Sequence, residues 1–166
     1  MNSLFVTLLI GGATGVLLGT AGAKIWAATR THLAWPEGAN FLRFHLSSNF
    51  VIAAEIIVSA IALAVPGYRI VSLLLAVIYA GFVVGATTLK GQECGCFGIE
   101  GMKVGPVHIW GCALTAAALL ASVVSSEEIA SPRPLRLVVA LASAVVMTIA
   151  MQLWNRLTRI EVDDTN

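Results

Sequence analysis

Residues 4–26 read LFVTLLIGGATGVLLGTAGAKIW, and this stretch decides the fold. It carries no charge before Lys24. Its length matches the roughly 20 residues that a helix needs to cross a hydrocarbon core. A secretory leader opens on a basic segment and has a shorter apolar run. Here the first Lys or Arg is Lys24, so the stretch is expected to remain as a first membrane span. Gly11, Gly15, Gly19 and Ala23 recur every four residues and line one face. Such a ridge of small side chains lets another helix approach closely. Lys24 and Trp26 mark the interfacial end, where a lysine stem can snorkel and an indole sits among headgroups.

The rest of the chain repeats this texture. Of its 166 residues 58% are hydrophobic and only 11% charged, against about 25% charge in soluble domains. Charge at bilayer depth costs roughly 2.5 kcal/mol or more per residue, which explains the deficit in a membrane protein. Further spans are expected over residues 46–65, 70–89, 107–124 and 135–154. Asn49 is an N-cap candidate for the second, and Pro66-Gly67 turns the chain into the third. Residues 27–49, with Arg30, His32, Trp35, Pro36, Arg43 and His45, suit a wet interfacial segment. The expected fold is all-α: a single integral membrane helical bundle with a four-helix core plus a fifth C-terminal transmembrane helix. Its surroundings are a lipid bilayer, and a net charge of +1 gives no reason to expect a nucleic-acid partner.

Glu55 is the only acidic residue inside any of these spans. A lone carboxylate at that depth needs a counter-charge or a proton, and is a functional candidate for that reason. Lys24 is available as a partner if the first two spans lie side by side. A pair that fixes packing and a group that handles protons are both open readings.

The chemistry is expected in the loop between the third and fourth spans, which contains Lys90-Gly-Gln-Glu-Cys-Gly-Cys-Phe-Gly98. Cys94 and Cys96 are separated by Gly95 alone. A disulfide across one residue is strained, and glycine eases the strain by tolerating unusual backbone angles. A strained, exposed disulfide is more oxidising and exchanges readily. Lys90 and Lys103 are near enough in sequence to favour a thiolate. Cys112, about one turn into the fourth span, is either a resolving thiol or an inert small side chain. Metal binding by Cys94, Cys96, Cys112 and His108 is the rival, as a copper or zinc carrier, although one spacer residue is tight for tetrahedral zinc. A third reading makes the pair a structural staple in a non-catalytic membrane assembly factor. No cofactor is evident. A quinone acceptor is suggested only by analogy with membrane disulfide oxidases.

Sidedness is contested between two rules. Lys24, Arg30, Arg43, Lys90, Lys103, Arg156 and Arg159 fall on one side of such a bundle, and Arg69, Arg133 and Arg136 on the other. The excess of positive charge would place the cysteine loop in the cytoplasm. Disulfide chemistry favours the extracytoplasmic side of a cell membrane, in bacteria the inner membrane. The redox argument is given more weight here.

The segment Thr87-Thr-Leu-Lys-Gly-Gln-Glu-Cys-Gly-Cys-Phe-Gly98 at the end of a third span resembles the signature of the methylamine-utilisation MauE family, among the DoxX-like membrane proteins. Gly22-Ala-Lys24 and Glu55 are similar to that pattern too, and the likeness covers roughly residues 4–124. The family pattern has an Arg-Asn pair early in the fourth span, where this chain reads His108-Ile-Trp-Gly-Cys112. The resemblance implies a four-helix core and a role in maturing periplasmic amine dehydrogenases with a thioredoxin-like partner. Together these readings give an integral membrane thiol–disulfide redox protein. Cys94 and Cys96 would be its reacting pair, with Glu55, Lys24, Cys112 and Lys90 in support.

Overall fold

A computed structural model of the chain describes residues 3–30, 48–91, 104–125 and 133–163. They form five α-helices: α1 (Ser3–Arg30), α2 (Ser48–Ala64), α3 (Tyr68–Thr88), α4 (Pro106–Ser125) and α5 (Arg133–Asp163). Four have a stretch long and apolar enough to cross a membrane: Ser3–Trp26, Tyr68–Thr88, Pro106–Val124 and Arg133–Ala150. The apolar part of α2, Asn49–Ala64, is shorter. This helix begins at Ser48, so Asn49 lies within its first turn and not ahead of it.

Burial departs from that of a soluble protein in what lies beside the apolar core and on the surface. Thr7, Thr14, Thr20, Lys24, Glu55, Ser59, Ser72, Ser122 and Arg136 are buried, while Phe50, Ile70, Val77, Val107, Leu114, Val138 and Val146 are exposed. Water would reject this arrangement, whereas lipid tails solvate the apolar exterior and drive polar groups to find partners inside. Trp26 and Trp110 stand exposed near one end of α1 and α4, as in an interfacial aromatic belt.

The stretch 4–26 sits at the centre. α1 touches all four other helices. Its Ile10 and Leu17 pack in a core with Val71, Leu75 and Tyr79 of α3 and Leu119 of α4. The glycine ridge meets α5. A Cβ on Gly11 would stand 2.8 Å from Val139 Cβ, and one on Gly15 would collide with the Ala140 carbonyl oxygen. A Cβ on Gly19 would face Ala144. The contacts advance together along both helices, so α1 and α5 run parallel, backbone close to backbone, as small-residue ridges allow.

α3 and α4 form an antiparallel hairpin. Ser122 donates to Ser72 at 3.0 Å in its buried seam, and Lys90 bridges to Val104 at its open end. Arg136 of α5 ties the far side together. Its Nη1 donates to Ala62 O and Val65 O, both at 2.8 Å. A cation on these terminal carbonyls also opposes the negative end of the α2 dipole.

Candidate functional site

Lys24 and Glu55 pair as their burial requires. Lys24 Nζ donates to Glu55 Oε1 at 2.5 Å, and the two side chains are 3% and 1% exposed. Either one charged without the other would need a substitute partner in this interior. Among the described residues Glu55 Oε2 has no hydrogen-bond partner. The Thr20 side chain, one turn before Lys24 on α1, stands beside the carboxyl. Lys24 Nζ also lies 5.9 Å from the centre of the Phe82 ring, at the limit of cation–π reach. Phe82 meets Tyr79 edge to face, with ring centres 6.0 Å apart, and the Tyr79 hydroxyl donates to Ala13 O at 2.9 Å.

Cys112 belongs to the same layer. The register set by Ser72–Ser122 and Lys90–Val104 places it across from Phe82. Both residues pack against the main core, and Cys112 is a half-buried free thiol. Lys24, Glu55, Phe82 and Cys112 each lie about six residues inside a helix end, roughly 9 Å at the rise of an α-helix. All four ends face the same way: the C-termini of α1 and α3 and the N-termini of α2 and α4. The helices therefore build a polar layer beneath one mouth of the bundle.

The cysteine loop leaves from that mouth through a pinned neck. Gly91 N–H donates to Val104 O at 3.0 Å. Leu89 and Val104 are buried against each other with Ala86 beside them. Gly91 has φ +81°, a left-handed angle that strains any residue with a Cβ. Lys90 is exposed at this neck, well apart from the buried layer. Cys94 and Cys96 lie outside the described residues, as do His32, His45 and Lys103.

His108 has a local job in the neck. Gly105 N–H donates to its Nδ1 at 3.4 Å, and His108 N–H returns a bond to Gly105 O at 3.1 Å. The first bond is one half of a capping box, the third helical residue reaching back to the N-cap N–H, and the second is a backbone turn at the start of α4. His108→Ala is expected to cost about 1 kcal/mol, the usual value of an N-terminal cap, and to loosen the neck. Faster amide exchange at Gly105 would report it; unchanged exchange would show that the cap contributes nothing. Among the described residues no three His, Cys, Asp or Glu side chains gather as a metal site would need. The Cys94 and Cys96 part of the copper or zinc set lies outside those residues.

Tyr79, Phe82, Thr20 and Ser59 went unremarked in the sequence. A signal existed for two of them: Thr20 is four residues before Lys24, and Ser59 four after Glu55. Each therefore shares a helix face with a charge. No family model, curated protein or solved structure matches the chain. The likeness to the MauE family accordingly rests on the quoted residues alone.

Proposed function

We propose that the protein is an integral membrane thiol–disulfide redox protein of the MauE type, acting through Cys94 and Cys96. The observation that carries this reading is the Cys-Gly-Cys sequence between two membrane-spanning helices. Its support is the neck at Lys90, Gly91 and Val104, which joins the ends of the loop at one bundle mouth. A four-helix core of α1–α4 holds that mouth, and α5 is a fifth membrane helix braced on α1.

The partner is a dithiol protein, thioredoxin-like by the family resemblance, on the extracytoplasmic side of a cell membrane. One partner thiolate attacks a sulfur of the Cys94–Cys96 disulfide and forms a mixed disulfide. The second partner thiol displaces it. The partner leaves oxidised, and Cys94 and Cys96 leave as thiols. Turnover then needs an acceptor of two electrons and two protons, for which a bilayer quinone is the class analogy suggests.

Oxidation of a reduced thioredoxin-like protein by the purified membrane protein tests this. Activity is expected to fall to the level of empty membranes in Cys96→Ser. Alkylation should label Cys94 and Cys96 only after reductant. The reading fails if both thiols stay unreactive after reduction and Cys96→Ser oxidises the partner normally. Loss of stability alone in Cys94→Ser would mark the pair as a structural staple.

A further inference from the structure

We propose that Glu55 is an exchangeable proton site in the membrane interior, protonated at Oε2, with Lys24 as its switchable counter-charge. This goes beyond the thiol reading and does not depend on it.

The pair is built asymmetrically. Lys24 serves Oε1, while Oε2 is buried with no hydrogen-bond partner among the described residues. A permanent ion pair at this depth would be expected to satisfy both oxygens, since a charge-bearing acceptor left bare in an apolar interior is costly. A carboxylic acid at the same place changes the requirement, because its O–H needs an acceptor. Thr20 is suited to that. Its hydroxyl can serve either state: it can donate to the neighbouring carboxylate, and while it donates to Leu17 O at 2.9 Å its lone pairs are open to the acid O–H. Ser59, one turn along the same face of α2, holds a buried hydroxyl with no hydrogen-bond partner among the described residues.

Lys24 also has somewhere to go when the carboxylate is neutralised. The Phe82 ring, 5.9 Å from Nζ, offers its electron-rich face to the ammonium group. Two arrangements therefore exist around one proton. In the first, Lys24 pairs with the Glu55 carboxylate and latches α1 to α2. In the second, Glu55 is neutral, its O–H turns to Thr20 or Ser59, and Lys24 leans on Phe82.

The surroundings allow this titration. From α1 the group faces Lys24 and Thr20. Tyr79 lies nearby on α3, and Cys112 on α4 lies near Tyr79. From α5, Arg136 sits at the far end of α2, bound to Ala62 O and Val65 O. Among the described residues Lys24 is the one cation in contact with the carboxylate. The bundle mouth lies about 9 Å above the layer.

Infrared difference spectroscopy of the full-length protein in lipid discs, taken across a pH series, tests the proposal. The expected result is a C=O stretch of a buried protonated carboxyl that varies with pH. It should be lost in Glu55→Gln, shift in frequency in Glu55→Asp, and gain intensity in Lys24→Met, where the carboxylate has no counter-charge. The same band should persist in the Cys94→Ser/Cys96→Ser protein, so failure of the thiol chemistry leaves this result intact. The proposal is overturned if no such band appears at any pH, or if folded Glu55→Gln or Glu55→Asp leaves it unchanged. Lys24–Glu55 would then be a fixed packing pair.

Discussion

Glu55→Leu is expected to destabilise the bundle by about 3–5 kcal/mol, the usual cost of removing one partner of a buried pair. The loss comes less from the bond removed than from what remains. Lys24 Nζ would be left almost wholly buried, with the Phe82 ring as its remaining contact among the described residues. The double variant Lys24→Met/Glu55→Leu should recover most of the loss, because two apolar side chains of similar volume need no partner. Reversible unfolding in mixed micelles would measure both. Equal losses in the single and double variants would show that shape, and not charge, makes this contact. Comparison with the infrared experiment separates stability from proton exchange, since a double variant that folds well should still lack the carboxyl band.

The second large effect is expected at Gly15. Gly15→Val places branched carbon where the Ala140 carbonyl already stands, with Ser143 Cβ only 2.6 Å from the nearest new atom. Neither neighbour is the free end of a flexible side chain, so α5 must move away from α1. The cost is expected at the upper end of the roughly 1–3 kcal/mol seen for overpacking. Gly22→Ala is the control on the same helix. Among the described residues nothing lies within 4 Å of its added Cβ, so stability should stay within about 0.5 kcal/mol. If Gly15→Val and Gly22→Ala behaved alike, the close α1–α5 packing would carry no weight.

Much of this architecture was legible in the residues. Long charge-free runs name membrane helices because no other environment accepts them, and residues 4–26 are the plainest case. The Lys24–Glu55 contact was readable too, since two opposite charges inside apolar spans have few places to go. The glycine ridge announced a close approach but could not say which helix makes it. That depends on how α5 returns to α1 past three intervening helices, which is a matter of global packing. Arg136 was less transparent. In sequence it belongs with loop charges at the start of a span, whereas it is fully buried and holds the end of α2. A cation near a span boundary reads as solvated unless the orphan carbonyls of a neighbouring helix are known to lie beside it. Tyr79 and Phe82 were hidden for a different reason. An aromatic ring in an apolar run usually fills space, and only the position of Lys24 gives Phe82 a second use.

The parallel embrace of α1 and α5 bears on how the protein is made. A chain enters the membrane from its N-terminus, so the helix that leaves the ribosome first finds its most extensive partner last. Until then the bare carbonyls along Gly11, Gly15 and Gly19 face lipid or whatever translocation machinery shelters them. The α3–α4 hairpin, by contrast, needs only the loop between its own two helices to close. Biogenesis should therefore proceed by early formation of that hairpin and late docking of the C-terminal helix. Chains stalled before residue 133 would hold an unfinished bundle, exposed to quality-control proteases, with its first helix still waiting.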